Sequence, residues 1–312
     1  MQRGLPPMMD PTTKKRALKW GKRIAWAVGG LFVFLLVASN VMLRTRMFRD
    51  IMAFDPQAMT LEYKSAYSWF PGRIHAEGLS IRGSDSRVQW LIKVDSVDTF
   101  MNPFAFAKRR FSASHTTAEG VTFHMRTRYA TGEVTQEMLA SLPIIPGFAE
   151  APIEVPVPPP PSDEDYKLWS VSLESVHAKD VTDVWVDTYR FRGHVDVEGR
   201  WLFRPLRELD LGPATVQIHD LVATNYRAPL VTGISGTVEL RIFPYDVRVP
   251  KGLDVLHQIS THAVLSLDVP LSDGINRIAD PNDVHFAGGD VRLQGEMTMD
   301  RGVIAQGTKL RA

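Results

Sequence analysis

The 312-residue chain contains no cysteine. Disulfide bonds, a catalytic thiolate and cysteine-ligated metals are therefore excluded. The chain also lacks the short motifs of common active sites: there is no Gly-x-Ser-x-Gly elbow, no phosphate-binding loop that ends in Lys-Ser/Thr, and no His-Glu-x-x-His. The sequence predicts no catalytic residue, no cofactor and no metal site, and hence a protein that is not an enzyme.

The residue types that carry acid–base or metal chemistry are scattered along the chain. His257 and His262 are the closest of the nine histidines, and a metal site would need two more ligands beside them. Asp95 and Asp98 lie at the end of an alternating stretch, where we interpret them as a solvated strand end rather than an acid/base pair.

A broad basic surface is also missing. Ten Lys/Arg and two Asp stand in residues 1–50, a balance of +8, whereas the rest of the chain holds 26 basic and 33 acidic residues, a balance of −7. Phosphate backbones require a concentrated basic field, so nucleic acid is excluded as a partner. The hydrophobic content of 44% is ordinary for a folded protein.

One long uncharged run is present, from Ile24 to Leu43. Its twenty residues match the thickness of a hydrocarbon core of about 30 Å. Seven basic residues precede it and three follow closely, so residues 1–23 are predicted to be a cytoplasmic tail and residues 44–312 to be exported. The alternative is a signal peptide cleaved after Ser39, but the run is long for one and lacks an Ala-x-Ala site.

Beyond this segment the apolar residues alternate with polar ones, as in a half-buried β-strand. No long amphipathic helix separates the strands, which predicts an all-β fold of antiparallel strands, either an open groove or sandwich-like sheets. A first β region covers residues 44–142 and a second covers residues 166–312. Between them, residues 143–165 are rich in proline and predict a linker or an extended surface arm.

A short phrase recurs in these strands. Gly78 and Gly120 each follow Ala-Glu and precede a resumed alternation, and the apolar positions change parity at Gly78. Similar phrases place Asp180 and Asp220 where the glycine stood. A change of parity at glycine predicts a β-bulge or tight bend, repeated along the chain.

The apolar strand positions are the candidate functional residues. In a closed sandwich they would form the core, whereas in an open groove they would contact lipid. The candidate lipid-contacting residues are Val88, Trp90, Ile92, Val94, Val121, Phe123, Met125, Val291, Leu293, Met297 and Met299.

Residues 20–128 resemble the start of AsmA-like proteins of Gram-negative envelopes. The resemblance lies in the apolar anchor, the stretch from Gly78 to Ile81, the strand from Val88 to Val97, the connector from Asn102 to Arg110 and the stretch from Gly120 to Phe123. It implies a single-pass inner-membrane protein whose periplasmic β-groove handles phospholipid for the outer membrane.

A passive groove needs no nucleophile or metal, which agrees with the missing motifs. The partners expected from the resemblance are phospholipid, the inner membrane and other envelope proteins. Two other functions stay open at the sequence level: a structural or assembly adaptor built from closed β-sandwiches, and an exported enzyme with an unrecognised site.

Overall fold

The helices of the protein are few, and only the first is long. The computed structural model describes residues 11–52, 59–84, 88–129, 135–148, 170–204, 208–246, 256–270, 276 and 288–311. Helix α1 is Pro11–Arg44, α2 is Met47–Met52, α3 is Gln136–Ser141, and a 3-10 helix covers Pro103–Lys108. Within α1, Lys19–Arg44 is long and apolar enough to cross a membrane.

The remaining described elements are strands of one sheet, in the order β1-β3-β4-β5-β6-β7-β8-β9-β10-β11-β12, with β2 paired to β3 and β13 paired to β11. Their bounds are β1 Met59–Glu62, β2 Ser65–Phe70, β3 Arg73–Ser84, β4 Val88–Met101, β5 Arg110–Thr127, β6 Ser170–Val186, β7 Tyr189–Arg204, β8 Glu208–Asn225, β9 Ala228–Tyr245, β10 Ile259–Pro270, β11 Asp290–Asp300, β12 Val303–Ile304 and β13 Lys309–Arg311. The all-β prediction is confirmed, and both predicted β regions contribute to the same sheet.

One strand pair departs from the predicted antiparallel arrangement. β5 and β6 run parallel, while every other described pair is antiparallel. Parallel neighbours need a crossover of a dozen or more residues, and residues 128–169 provide it. The proline-rich passage is part of that connection; residues 149–165 of it lie outside the described residues.

The predicted bend at the repeated phrase is confirmed. Gly78, Gly120 and Asp180 have φ angles of 60°, 66° and 54°, in the left-handed region. The alanines two residues before them align across the sheet, because Ala76 and Ala118 both pair with Val97, and Ala118 pairs with Ala178. The repeated phrase is therefore a row of bulges at one level of neighbouring strands. Asp220 differs, since its φ is not positive.

The first alternating stretch after the membrane segment is not one strand, as the sequence suggested, but two. β1 and β2 are interrupted at Lys64, whose amide donates to the carbonyl of Glu77 beside the Gly78 bulge. The interruption changes parity, so Ala66 and Ser68 are buried while Tyr67 and Trp69 are exposed. The bulge in β3 thus imposes a matching break on its edge partner.

We predict opposite outcomes for two substitutions in the bulge row. Gly120→Ala should lower the free energy of unfolding by about 1–2 kcal/mol, because its left-handed backbone disfavours a Cβ, and that Cβ would also meet the Asp95 carboxylate. Asp180→Gly should change it by less than about 1 kcal/mol, because a glycine relieves the same backbone cost at its own entropic expense.

Urea unfolding in detergent checks both variants. Equal destabilisation by the two substitutions would contradict the assignment of a shared left-handed row.

Candidate functional site

Cross-strand register places apolar side chains in continuous rows on one face of the sheet. Directly paired residues of neighbouring strands point to the same side. One row has a residue on each strand from β3 to β11, and its eight steps of about 4.8 Å span about 38 Å. We call the side that carries it the apolar face. The row is Ala76, Val97, Ala118, Ala178, Val197, Val216, Val238, Ala263 and Met297.

The opposite side, which we call the polar face, is lined by the alternate residues. The row next to the previous one is His75, Asp98, Thr117, His177, Glu198, Thr215, Glu239, His262 and Thr298. Cross-strand pairs form on this face: His75 Nδ1 lies 3.1 Å from Asp98 Oδ2, and His177 Nδ1 lies 3.0 Å from Glu198 Oε1. The two sides of the sheet thus differ sharply in chemistry.

A three-membered cluster reinforces the polar face. Arg190 donates to both oxygens of Asp183, at 2.8 and 2.9 Å, and His124 Nε2 lies 3.0 Å from Asp183 Oδ2. Burial alone would raise the pKa of Asp183, but the hydrogen bonds from Arg190 and His124 outweigh it and lower the pKa below its ordinary value. The carboxylate is therefore ionised at neutral pH.

All of the candidate residues named from the sequence lie on the apolar face. Ile92 pairs with Phe123, Val94 with Val121, and Trp90 with Met125. The indole of Trp90 rests against Gly83, where any side chain would collide with it. The same alternating register places Val88 on this face, and the partners of β11 in β10 place Val291, Leu293, Met297 and Met299 there.

Sequence reasoning missed the middle of the face, which β6 to β9 supply. Val184 and Phe191 continue the row of Phe123, and Val195 and Ile218 continue the row of Val121. The period-two alternation of these strands was visible in the sequence. What it could not reveal is that they join the first strands in one sheet through a parallel pair.

Protein covers only the first part of the apolar face. The C-terminal end of α1 and α2 bury Leu43 and Phe48 with Leu61, against strand residues such as Ile74 and Val97. From β6 to β10, the principal contacts of each strand are with its neighbours in the sheet. Most apolar side chains there are only half-buried. Among the described residues, no second sheet packs on this face.

A strap formed by residues 135–148 lies on the polar face instead. Backbone carbonyls of the strap accept hydrogen bonds from side chains of three strands: Ser141 O from Trp185 at 3.1 Å, Pro143 O from Arg126 at 3.2 Å, and Pro146 O from Arg82 at 3.0 Å. Trp185 and Arg82 belong to the polar side by register. The described part of the proline-rich passage therefore leaves the apolar face uncovered.

Asn40 joins the apolar helix to the sheet. Its amide nitrogen donates to Ser68 O at 2.6 Å, and its amide oxygen accepts from Ser68 N at 3.0 Å. Tyr63 adds a second joint, since its hydroxyl donates to Leu43 O at 2.5 Å. A polar side chain in a membrane-spanning stretch needs such partners. The helix is thereby fixed to the edge of the sheet at which the apolar face begins.

The residues considered for acid–base or metal chemistry form no such site. His262 Nδ1 lies 3.0 Å from Thr298 Oγ1, and Asp98 pairs with His75. In the described part of the chain, no group of three or more His, Asp or Glu could hold a metal ion. The apolar face is the principal candidate for a functional surface.

Comparison with known proteins adds no relative: no family model matches the chain, and no curated protein matches it significantly.

We predict that Asn40→Leu loosens the joint between helix and sheet. The amide of Ser68 loses a hydrogen bond worth about 1 kcal/mol net, so its hydrogen exchange should become several-fold faster. Thr45→Val is the matched control, because the Thr45 hydroxyl bonds only within its own helix, to Met42 O.

Mass-spectrometric hydrogen exchange over residues 65–70 measures the change. Unaltered exchange in Asn40→Leu would contradict a structural role for the joint.

Proposed function

We propose that this chain is an inner-membrane-anchored periplasmic protein that shields phospholipid acyl chains along the apolar face, in the manner expected of an AsmA-like protein. The observation that carries the proposal is the apolar row from Ala76 to Met297, which crosses nine strands and is left open by the described residues. The ligand is a phospholipid, and the partners are the inner membrane and other envelope proteins.

The energetics of lipid transfer support this role. A phospholipid that leaves a bilayer exposes methylenes at about 0.8 kcal/mol each, so a chain of about fifteen costs on the order of 12 kcal/mol in water. A continuous apolar surface removes most of that cost. Shielding of this kind requires no nucleophile, metal or nucleotide.

The position of the anchor supports the same proposal. Because α1 is joined to β2 through Asn40 and packs on β3 and β4 through Leu43, the apolar face starts where the helix ends. The heavier basic flank precedes the helix, which favours a cytoplasmic N-terminus and a periplasmic sheet. A lipid would thus pass from the leaflet onto the sheet without crossing a polar surface.

The adaptor alternative requires protein to cover the apolar face. A closed sandwich brings a second sheet to about 10 Å from the first, and the strands described here form a single sheet. We therefore favour lipid as the occupant over the core of a sandwich.

We predict that a photo-crosslinking residue at Val238 captures phospholipid in cells, whereas the same residue at Thr237 does not. The two positions are adjacent on β9 and point to opposite faces: Val238 is half-buried on the apolar face and Thr237 is exposed on the other. Mass spectrometry of the crosslinked products identifies the partner. Capture of protein alone at Val238 would favour the adaptor function.

A charged variant gives the second arm of this test. Val216→Glu should leave the protein folded, because the half-buried carboxylate can turn to water, and should abolish lipid capture at Val238. Val94→Glu is the contrasting variant, since Val94 is buried in the core beneath α1 and an unpaired charge there costs several kcal/mol. Unfolding of Val216→Glu would indicate a closed core and contradict the proposal.

A further inference from the structure

A cluster of exposed aromatic rings lies at the end of the sheet beside α1. The side chains are exposed by 56% at Trp69, 44% at Phe70, 42% at Phe100 and 82% at Phe104. The ring centroids of Phe70 lie 6.4 Å from Trp69 and 6.5 Å from Phe100. We call these four residues the aromatic tip. Clustered exposed rings of this kind mark an interaction surface rather than an ordinary protein exterior.

The tip is continuous with the apolar helix. The ring of Phe32, within the stretch that can cross a membrane, lies 5.6 Å from Phe70 at an edge-to-face angle of 66°. Phe32 precedes Arg44 by twelve residues, about 18 Å of helix at 1.5 Å per residue. That distance exceeds half of a hydrocarbon core of about 30 Å. If α1 spans the bilayer, the tip cannot remain in water above it.

The composition of the tip suits a bilayer. Residues 65–72 and 99–107 carry no charged side chain, and basic residues follow both stretches, at Arg73 and at Lys108. The guanidinium of Arg73 lies 4.7 Å from the centroid of the Trp69 ring. Aromatic rings with neighbouring cations are typical of the level at which headgroup phosphates meet acyl chains.

The backbone at the tip is also prepared for an apolar surrounding. Met101 N donates to Gly72 O at 2.6 Å, Asn102 N donates to Ser112 O at 2.8 Å, and Phe104 N donates to the side-chain oxygen of Asn102 at 3.0 Å. Lipid offers no partner for polar backbone groups, so such internal pairing is required of any segment that enters it.

We propose that the aromatic tip inserts into the leaflet on the sheet's side of the membrane, as a second membrane contact beside α1. The rings contact acyl chains, and Arg73 and Lys108 lie near the phosphates. The near end of the apolar face then opens into the leaflet rather than into water. This inference rests on the anchoring of α1 in the proposed function.

The absence of native cysteine permits a direct depth measurement in the full chain. Single cysteines replace Phe104, Phe34 in the middle of α1, and Tyr189 on β7 at the opposite end of the sheet; the three side chains are exposed by 82%, 66% and 43%. Each carries the fluorophore NBD, and the protein is placed in vesicles of phosphatidylcholine and phosphatidylglycerol. Quenching by doxyl-labelled lipid is compared with quenching by aqueous dithionite, after circular dichroism has verified the fold.

The expected result is strong lipid quenching and slow dithionite reduction at positions 34 and 104, with lipid quenching several-fold weaker at position 189. A label in lipid at position 34 but in water at position 104 would overturn the inserted tip and leave the anchor intact. A label in water at position 34 would overturn the anchor itself, and the tip with it. Protection of position 104 from both quenchers would indicate a protein partner at the tip and would equally overturn the inference.

Discussion

The structure depends on one constraint: a β-strand places alternate side chains on opposite sides, and a single sheet has nothing behind either side. In this protein the register keeps apolar residues together from Ala76 on β3 to Met297 on β11. Globular domains satisfy the constraint with a second layer that buries the apolar side. Here α1 and α2 form that layer over the first strands only, and the half-buried residues beyond them need another covering. A lipid chain is the covering we propose.

The bulges explain how the apolar side is maintained across so many strands. A one-residue insertion in a single strand would move every later apolar side chain to the wrong face. Because Gly78, Gly120 and Asp180 lie at one level of neighbouring strands, the insertions compensate one another and the rows continue beyond them. The repeated phrase made this much predictable from the sequence, since glycine after a fixed apolar pattern has few other structural meanings. Gly233, with a φ of 59°, forms a related irregularity that the sequence did not reveal.

Other features depend on contacts between distant parts of the chain and could not be predicted. Alternation identified β6 as a strand but carried no information on its partner, so the parallel pairing with β5 was missed. Likewise, the proline-rich passage indicated an arm without indicating a face. The hydrogen bonds from Arg82, Arg126 and Trp185 determine that its described part lies on the polar side. The candidate residues on β4, β5 and β11 were predictable because each belonged to a clear alternation, whereas their union in one surface was not.

The most direct test of the account is whether lipid accompanies the protein. Native mass spectrometry of the full chain, extracted from membranes in mild detergent, measures the mass of the folded protein with anything bound to it. The account predicts bound phospholipid on the wild-type protein and its loss in Val216→Glu, with α1 and the fold unchanged. A folded wild-type protein that carries no phospholipid, or one whose bound lipid is unaffected by Val216→Glu, would contradict the claim that the apolar face is a lipid-binding surface.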